Sequence, residues 1–403
     1  MTLIIGIVGK PSAGKSTFLN AACLTKAKVS ELPFTTIEPN KGVAYVKSKC
    51  LCKELDIEDD PKNSICIEGN RFIPVQLLDV AGLVPDAHKG KGLGNKFLND
   101  LSQANVLLHI LDITGSLDKT GKRIAEGIND PYEDILFLKN EIDMWFKQIL
   151  EREDWNKFIK TYSRQKSKFI EELYKRLSGI KVRKNHIISA LKNSNLDGKE
   201  PSNWDEEDLI NFSKRLREIS KPLLIVANKI DKEIGKVNLK KLEKIYNGTI
   251  IPCSALAEHV LRTYDEKKTI NYIPGSNDFD IINPDILSEK ESETLNNIKV
   301  KLLKEFNGTG VQKTLNHAVF NISKQICVYP VSDINNFSDN NNNILPDVFL
   351  IEKGTTLKDF VRDKIHTDLA DHFMFGIDAI TKKRLGENYE LKHNDVIKIV
   401  TSK

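Results

Sequence analysis

The chain has 403 residues, 60 Lys and Arg against 56 Asp and Glu, and a formal net charge of +4. That length predicts two or three domains, and 40% apolar residues exclude a disordered chain. No apolar run approaches the roughly 18 to 20 residues that span a bilayer, which argues against a membrane partner. Met1 leads almost at once into the strand-like Leu3–Val8, without a basic leader, so no signal peptide is expected. Six cysteines in so long a chain suggest a reducing cytoplasm rather than a disulfide framework.

Short apolar β-type runs come first, at Leu3–Val8, Val43–Val46, Ile73–Leu78 and Val106–Leu111, separated by glycine-rich turns. They predict βαβ units and a mostly parallel, doubly wound sheet. From about 118 the pattern changes. Ile135, Leu138, Ile142, Trp145 and Ile149 are spaced 3, 4, 3, 4, an a/d seam about two heptads long. Ile159, Tyr162, Phe169, Leu173 and Leu177 extend the spacing, with Lys166 interrupting it, and Leu209, Phe212, Leu216 and Ile219 form a further amphipathic stretch. Gly198, Pro201 and Asn203 mark a loop between them. The expectation is a helical, coiled-coil hairpin inserted at 118–220. The sheet pattern resumes at Leu223–Ala227 and Thr249–Pro252, and 288–321 is again helical. The α/β domain is therefore expected to comprise 1–117 and 221–323. Residues 324–403 read as a compact mixed domain, with strands at Gln325–Val331, Asp347–Ile351 and Val396–Thr401 and a helix at Leu357–Ile365. Thr356 and Asp359 resemble a capping box, and Asn340–Asn343 reads as a flexible, low-complexity loop.

Gly9-Lys10-Pro11-Ser12-Ala13-Gly14-Lys15-Ser16, followed by Thr17, fits G-x-x-x-x-G-K-S and lies between a strand and an apolar helix. Such a loop turns its N–H groups on phosphates, and the helix N-terminus adds partial positive charge. Lys15 would reach the β- and γ-phosphates, and the Ser16 hydroxyl would serve Mg²⁺. Asp79 ends the apolar strand Ile73–Leu78, where a carboxylate can hold Mg²⁺, and Gly82 just beyond can offer its N–H to the γ-phosphate. Asn228-Lys229-Ile230-Asp231 follows Leu223–Ala227 directly. The carboxylate of Asp231 can accept from guanine N1–H and its 2-amino group, neither of which adenine offers. Cys253-Ser254-Ala255-Leu256 follows the next strand, and its backbone can contact guanine O6.

In this order the four segments match the G1, G3, G4 and G5 elements of translation-factor-class GTPases. More closely they resemble the Obg-like, YchF-type subfamily. Leu32-Pro33-Phe34-Thr35-Thr36-Ile37-Glu38-Pro39-Asn40 is similar to its switch I. Asp79 to Pro85, with Gly90-Lys91-Gly92-Leu93-Gly94-Asn95, is similar to its switch II. Val328-Tyr329-Pro330 and Lys353 to Phe360, with Lys364-Ile365-His366, resemble a TGS domain, a ubiquitin-like β-grasp module. The branch carrying N-K-x-D and this C-terminus looks archaeal. The resemblance implies a P-loop NTPase fold with a helical insertion and a β-grasp C-terminus, GTP and GDP as ligands, Mg²⁺ as cofactor, and a catalytic group of Lys15, Thr36 and Gly82. It makes Thr36 the switch I ligand of Mg²⁺, beside Ser16 and Asp79. Some relatives carry Glu at the position of Asp231 and accept ATP; Asp231 with Lys229 favours guanine. Many relatives carry Asn where this chain has Ser12, and that Asn can help hold K⁺; Ser12 counts against K⁺ as a cofactor without excluding it.

Leu83 stands where Ras-like enzymes use Gln to orient water, which predicts slow intrinsic hydrolysis; His88 is a candidate helper. Between Arg152 and Lys192 there are 12 Lys and Arg against 4 Asp and Glu, interleaved with Trp155, Phe158, Tyr162, Phe169 and Tyr174. Either this is a solvated helical surface with core aromatics, or it is a face for RNA. Lys382-Lys383-Arg384 adds a second positive cluster. With the resemblance, ribosome or RNA is the expected partner, without DNA specificity; the alternative is an adaptor that senses nucleotide and turns it over only incidentally. Cys50-Leu51-Cys52 and Cys66 lack the fourth ligand and the His of a zinc site, and read as ordinary thiols.

Overall fold

The computed structural model describes residues 3–23, 41–80, 94–152 and 154–402. The larger sheet contains β1 (Ile4–Val8), β2 (Lys41–Lys49), β3 (Ile65–Ile67), β4 (Asn70–Asp79), β5 (Val106–Asp112), β6 (Leu223–Asn228) and β7 (Ile250–Cys253), in the order β2-β4-β1-β5-β6-β7, with β3 also on β4. From β4 to β7 neighbours are parallel, whereas β2 and β3 run antiparallel to β4. Every residue of β5 is buried, as expected of a parallel strand covered on both faces. β1 lies between β4 and β5, so the chain leaves it in a crevice between strands reached by opposite connections.

Helices α1 (Lys15–Ala22) and α2 (Gly94–Gln103) belong to the first half of this unit. Between β5 and β6 come α3 (Pro131–Glu151), α4 (Trp155–Tyr162), α5 (Lys166–Leu177), α6 (Lys184–Asn193) and α7 (Glu206–Ser220). Asp130 caps α3 by accepting from Tyr132 N at 2.9 Å, Pro131 takes the first helical position, and Glu133 and Asp134 face the positive helix end. The expected seam, Ile135 to Ile149, is buried throughout. The helical insertion is as expected, and α3 packs along the returning α7. Phe146 and Leu150 are buried as well, which widens the apolar stripe to the face of a globular helix. Four shorter helices follow α3, and left-handed Asp154 and Lys181 turn the chain between them. The insertion is a bundle whose core runs into Val8 and Leu107 of the sheet.

After β6 come α8 (Glu233–Ile245), β7, α9 (Ala255–Glu266), a small hairpin of β8 (Ile270–Asn271) and β9 (Asp280–Ile281), then α10 (Glu289–Ile298), α11 (Lys304–Phe306) and α12 (Val311–Asn316). A second sheet has the order β11-β10-β14-β12-β13, built from β10 (Gln325–Val331), β11 (Phe349–Glu352), β12 (Phe373–Asp378), β13 (Arg384–Leu385) and β14 (Asp395–Thr401). Its central pair β10–β14 is parallel. Helix α13 (Leu357–Phe360) packs Leu357 and Phe360 against Ile326 and Ile397, and α14 (Thr367–Asp371) follows. A mixed sheet with a parallel central pair and a helix packed on one face is the β-grasp arrangement. Thr356 Oγ1 caps α13 by accepting from Asp359 N at 3.2 Å. The Asp359 carboxylate answers to the Thr356 hydroxyl at 2.8 Å, one atom away from the usual capping box. Asn340–Asn343 is not a featureless loop. Asp339 accepts from Asn341 N and Asn343 N, both at 2.9 Å, and from Asn343 Nδ2 at 2.8 Å, which ties the segment into an Asx turn.

The two sheets share one hydrophobic core, in which Ile73 and Val75 cluster with Tyr329, Leu345 and Val396. Main-chain bonds reinforce the contact: Asp60 N donates to Ile344 O at 2.8 Å and Lys62 N to Pro346 O at 2.7 Å.

Candidate nucleotide site

The loop after β1 is curled tightly. Gly9 has φ +148° and Gly14 φ +100°, both positive. A Cβ at Gly9 would sit 2.4 Å from Ile110 O, and one at Gly14 2.3 Å from Asn228 Nδ2. Only glycine lets the backbone approach the ends of β5 and β6 so closely. Ser12 also adopts a positive φ of 62° at the exposed tip. Lys15, the first residue of α1, donates Nζ to Gly9 O at 3.1 Å and to Lys10 O at 2.9 Å. Burial depresses its pKa, and the charge of Asp79 opposes that shift. Ser16 follows, and its hydroxyl donates to Asp79 Oδ2 at 3.1 Å. Among the described residues Asp79 Oδ1 is buried without a hydrogen-bond partner. A hydroxyl beside a carboxylate that keeps one oxygen unsatisfied is a donor set that suits Mg²⁺ next to phosphate oxygens.

The strand ends of β6 and β7 complete the site. Asn228 is 4% exposed, donates Nδ2 to Ala13 O at 2.9 Å, and accepts at Oδ1 from Ala255 N at 3.1 Å. One amide thus clamps the phosphate loop to the loop after β7. Lys229 sits at φ +67° and donates Nζ to Asp112 Oδ2 at 2.8 Å. Asp231 is exposed and accepts from the Ser254 hydroxyl at 2.6 Å. Ser254 Oγ in turn accepts from Ala257 N at 3.3 Å and caps α9.

The structure brings Gly9 to Thr17, Asp79, Asn228, Lys229, Asp231, Ser254 and Ala255 to neighbouring strand ends of one sheet. Thr36, Gly82, Leu83 and His88, with nearly all of both switch-like segments, lie outside the described residues. The side chain of Lys10 goes elsewhere. Its Nζ pairs with Asp134 Oδ1 of α3 at 2.5 Å and donates to Asp118 O at 2.9 Å, so only its main chain belongs to the phosphate cradle. Pro11 lies under Gly121, where a Cβ would meet its ring at 2.7 Å.

Asp112 was not singled out in the sequence. It ends β5 and accepts from Lys229, from Thr114 Oγ1 at 2.6 Å and from Ser116 Oγ at 2.7 Å. These donors lower its pKa against the upward push of burial. Its place at the end of an apolar strand, like that of Asp79, was the available signal. Behind the loop, His109 is fully buried and kept neutral, with its pKa depressed to about 3 by burial and neighbouring lysines.

A glycine-curled loop at the switch point of a parallel sheet, with a Ser–Asp pair and an Asn clamp from the neighbouring strand ends, defines a P-loop NTPase of the G-protein type. Three family models match in chain order: "50S ribosome-binding GTPase" over residues 4–141, "Obg-like GTPase YGR210-like, G4 motif-containing domain" over 226–333, and "TGS domain" over 342–401. An uncharacterised GTP-binding protein of Methanocaldococcus jannaschii is 44% identical over 400 residues, 99% of each chain. An uncharacterised GTP-binding protein of Schizosaccharomyces pombe is 35% identical over 88% of each. The solved GTP-binding protein of Pyrococcus horikoshii has a TM-score of 0.77 at 38% identity, covering 99% of this chain and 100% of that one. The chain belongs to the Obg-like, YchF-type GTPase family, with a C-terminal TGS domain.

Proposed function

We propose that the protein binds GTP with Mg²⁺, hydrolyses it to GDP and phosphate, and acts as a conformational switch on the ribosome or RNA in the cytoplasm. The observation that carries this reading is the Asn228 clamp, because it ties the phosphate loop to the strand ends bearing Lys229 and Asp231. Lys15 would exchange its loop carbonyls for β- and γ-phosphate oxygens. Ser16 and Asp79 would hold Mg²⁺, with Thr36 joining them by the family resemblance, and Gly82 would donate to the γ-phosphate. The ion would supply charge neutralisation on the phosphates. Asp231, kept in place by Ser254, would accept from the guanine edge. A carboxylate positioned to accept both guanine donors, and enclosed by the base once it binds, discriminates by about 10⁴ against a base lacking them. Leu83 offers no polar group to a water, so intrinsic turnover should be slow.

A second reading, an ATPase, has support in relatives' names. The "Ribosome-binding ATPase YchF" of Bacillus subtilis is 29% identical over 66% of this chain and 70% of that one. Calorimetry with GTP and ATP on the parent chain and on Asp231→Asn separates the two. The GTPase reading expects strong GTP preference in the parent and its collapse in the variant; equal affinities in the parent, or a variant with undiminished preference, refute it.

For the partner, the support is the exposed cationic surface of α4 to α6. The aromatics there serve the core: Phe158 and Phe169 are buried, while Trp155, Tyr162 and Tyr174 pack against them. Arg152, Lys157, Lys160, Arg164 and Lys168 remain exposed. A cleft of about 730 Å³ beside them is lined by Arg152, Lys157, Tyr162, Lys175 and Arg176, among others. Binding by charge should weaken steeply with salt, and salt-independent ribosome association would contradict it.

A further inference from the structure

Away from the phosphate loop, the chain between β2 and β3 makes a long excursion. From Lys53 to Ser64 it forms no strand, most of its residues are exposed or half-exposed, and it would ordinarily need a staple to hold one shape. Cys50 stands at the end of β2, Cys52 in the 3₁₀ turn Leu51–Lys53, and Cys66 on β3. Asp59 comes from the excursion itself. One donor atom from each of the four residues lies within 4.8 Å of every other. Cys52 Sγ and Cys66 Sγ are 3.8 Å apart, and Cys50 Sγ lies 3.1 Å from Asp59 Oδ2. Zinc–sulfur bonds of about 2.3 Å place two sulfurs of a tetrahedron roughly 3.8 Å apart. The cluster therefore already has nearly the spacing that coordination requires.

We propose that Cys50, Cys52, Asp59 and Cys66 form a closed, structural four-ligand site for a thiophilic divalent cation, zinc foremost. Three thiolates select a soft, tetrahedral ion over Mg²⁺ or Ca²⁺. With four protein donors no coordination position is left for substrate, which marks the site as structural rather than catalytic. The sequence alone pointed to ordinary thiols because Asp59, with no His nearby, was not recognised as the fourth donor.

Arg71 supplies the supporting shell. It is 0% exposed, and its Nη1 donates to Asp59 Oδ2 at 2.6 Å, which orients the carboxylate and offsets the charge of an anionic centre. Its Nη2 donates to Leu345 O and to Pro346 O of the C-terminal module. Main-chain bonds from Asp60 and Lys62 reach the same stretch. The metal would thus fix the excursion on which the C-terminal module docks. This inference is independent of the nucleotide reading.

The test begins with elemental analysis of the full chain purified without chelator or polyhistidine tag. About one zinc per chain is expected. After removal of the metal, Co²⁺ titration should give the visible bands of tetrahedral cobalt and a near-ultraviolet thiolate charge-transfer band that saturates at one equivalent. Cys66→Ser and Asp59→Asn each remove a ligand and should weaken metal retention by more than the roughly ten- to hundredfold of an outer-shell change, whereas Cys327→Ser, at a residue outside the cluster, should retain it. Should a variant fail to fold, the cobalt titration of the parent chain still decides. Metal removal should also speed amide exchange in 59–63 and 344–348. Metal below roughly a tenth of an equivalent with no thiolate–cobalt band overturns the proposal, as does a Cys52–Cys66 disulfide in the freshly isolated chain.

Discussion

Replacing Lys10 by Met should destabilise the chain by about 3–5 kcal/mol at pH 8, and by less at pH 5. The Lys10–Asp134 pair is 2.5 Å long, with side-chain exposures of 5% and 6%. Met keeps much of the length and apolar stem but removes the charge, leaving Asp134, among the described residues, the Asn129 Nδ2 donor at 2.9 Å. A buried charge that loses its partner costs far more than the intact pair contributes, because its desolvation is no longer offset. The orphaned carboxyl can escape part of that cost by taking up a proton. Burial already raises the Asp134 pKa and the bond from Lys10 opposes the rise, so deleting Lys10 raises it further. The folded variant then holds a proton that the unfolded chain releases. Its stability falls as pH climbs from the ordinary carboxylate range through the raised value, and the penalty is largest in alkali. Urea denaturation of Lys10→Met, Asp134→Leu and the double variant at both pH values measures this. The single losses correspond to two or more orders of magnitude in the folding equilibrium, at about 1.36 kcal/mol per decade. The double variant should lose at least about 2 kcal/mol less than the sum of the singles. Losses under about 1 kcal/mol, equal at both pH values and additive, would mean that the pair behaves as a surface ion pair and that the phosphate loop is not anchored to α3.

Asn228→Ala should leave Ala13 O and Ala255 N without their partner, at about 1–3 kcal/mol each, and calorimetry should show nucleotide affinity reduced by ten- to a hundredfold; unchanged affinity would remove the clamp from the site. Glu258 is buried, and desolvation raises its pKa against the opposing influence of Arg262, Thr309 and Tyr272. The native state therefore retains a proton above the ordinary value of 4.5, and stability contributed by that carboxyl is lost as pH rises through the elevated pKa. Gln at 258 keeps an acceptor for the Tyr272 hydroxyl, 2.8 Å away, so the Glu258→Gln melting temperature should gain on the parent between pH 5 and 8; a pH-independent difference would contradict this.

The candidate nucleotide site could be assembled from sequence because each of its segments is local: a strand, a turn with fixed glycines, then a helix. Gly9 and Gly14 carry that information within eight positions, and Asp79 and Asn228 stand at the ends of strands recognisable from their apolar runs. The partners of those residues were not legible. Lys229 meets Asp112 across 117 positions, and Lys10 meets Asp134 across 124. No periodicity encodes such pairings; they follow from the order of strands in the sheet and the entry angle of α3. The extent of the helical face was legible only in part. A seam of two heptads is compatible with either a paired helix or the buried face of a bundle, and the burial of Phe146 and Leu150, just off the seam, widens the face beyond what the heptads mark. Aromatics among the basic residues were ambiguous in sequence, and packing resolves them: Arg176 lies over the Phe158 ring at 4.3 Å and Lys184 over Tyr174 at 5.3 Å, within the fold itself.

Two buried cations help to attach the accessory modules to the sheet. Lys10 extends from the carboxyl end of β1 into the helical insertion, and Arg71 extends from β4 to the carbonyls of the C-terminal module. Each is at most 5% exposed and each meets a carboxylate, so neither contact can be broken by small side-chain motion without exposing or orphaning a charge. The insertion should therefore respond to the phosphate loop directly. A shift of the Lys10 backbone on binding phosphate must move Asp134 or break the pair, and Asp134 lies in the first turn of a 21-residue helix that carries the bundle core. Among the described residues the C-terminal module makes no buried ion pair with the phosphate loop. It is held on the β2–β4 side of the sheet, against Asp60, Lys62 and Arg71, with an exposed ion pair from Arg183 at the start of α6 to Glu352 of β11 at 2.7 Å, and should stay docked whichever nucleotide is bound. Hydrogen exchange compared between GTP-analogue and GDP states discriminates this arrangement: protection in the first turns of α3 should change while that of 344–348 stays constant, and the opposite pattern would show that the C-terminal contact, not the Lys10 pair, transmits the nucleotide state.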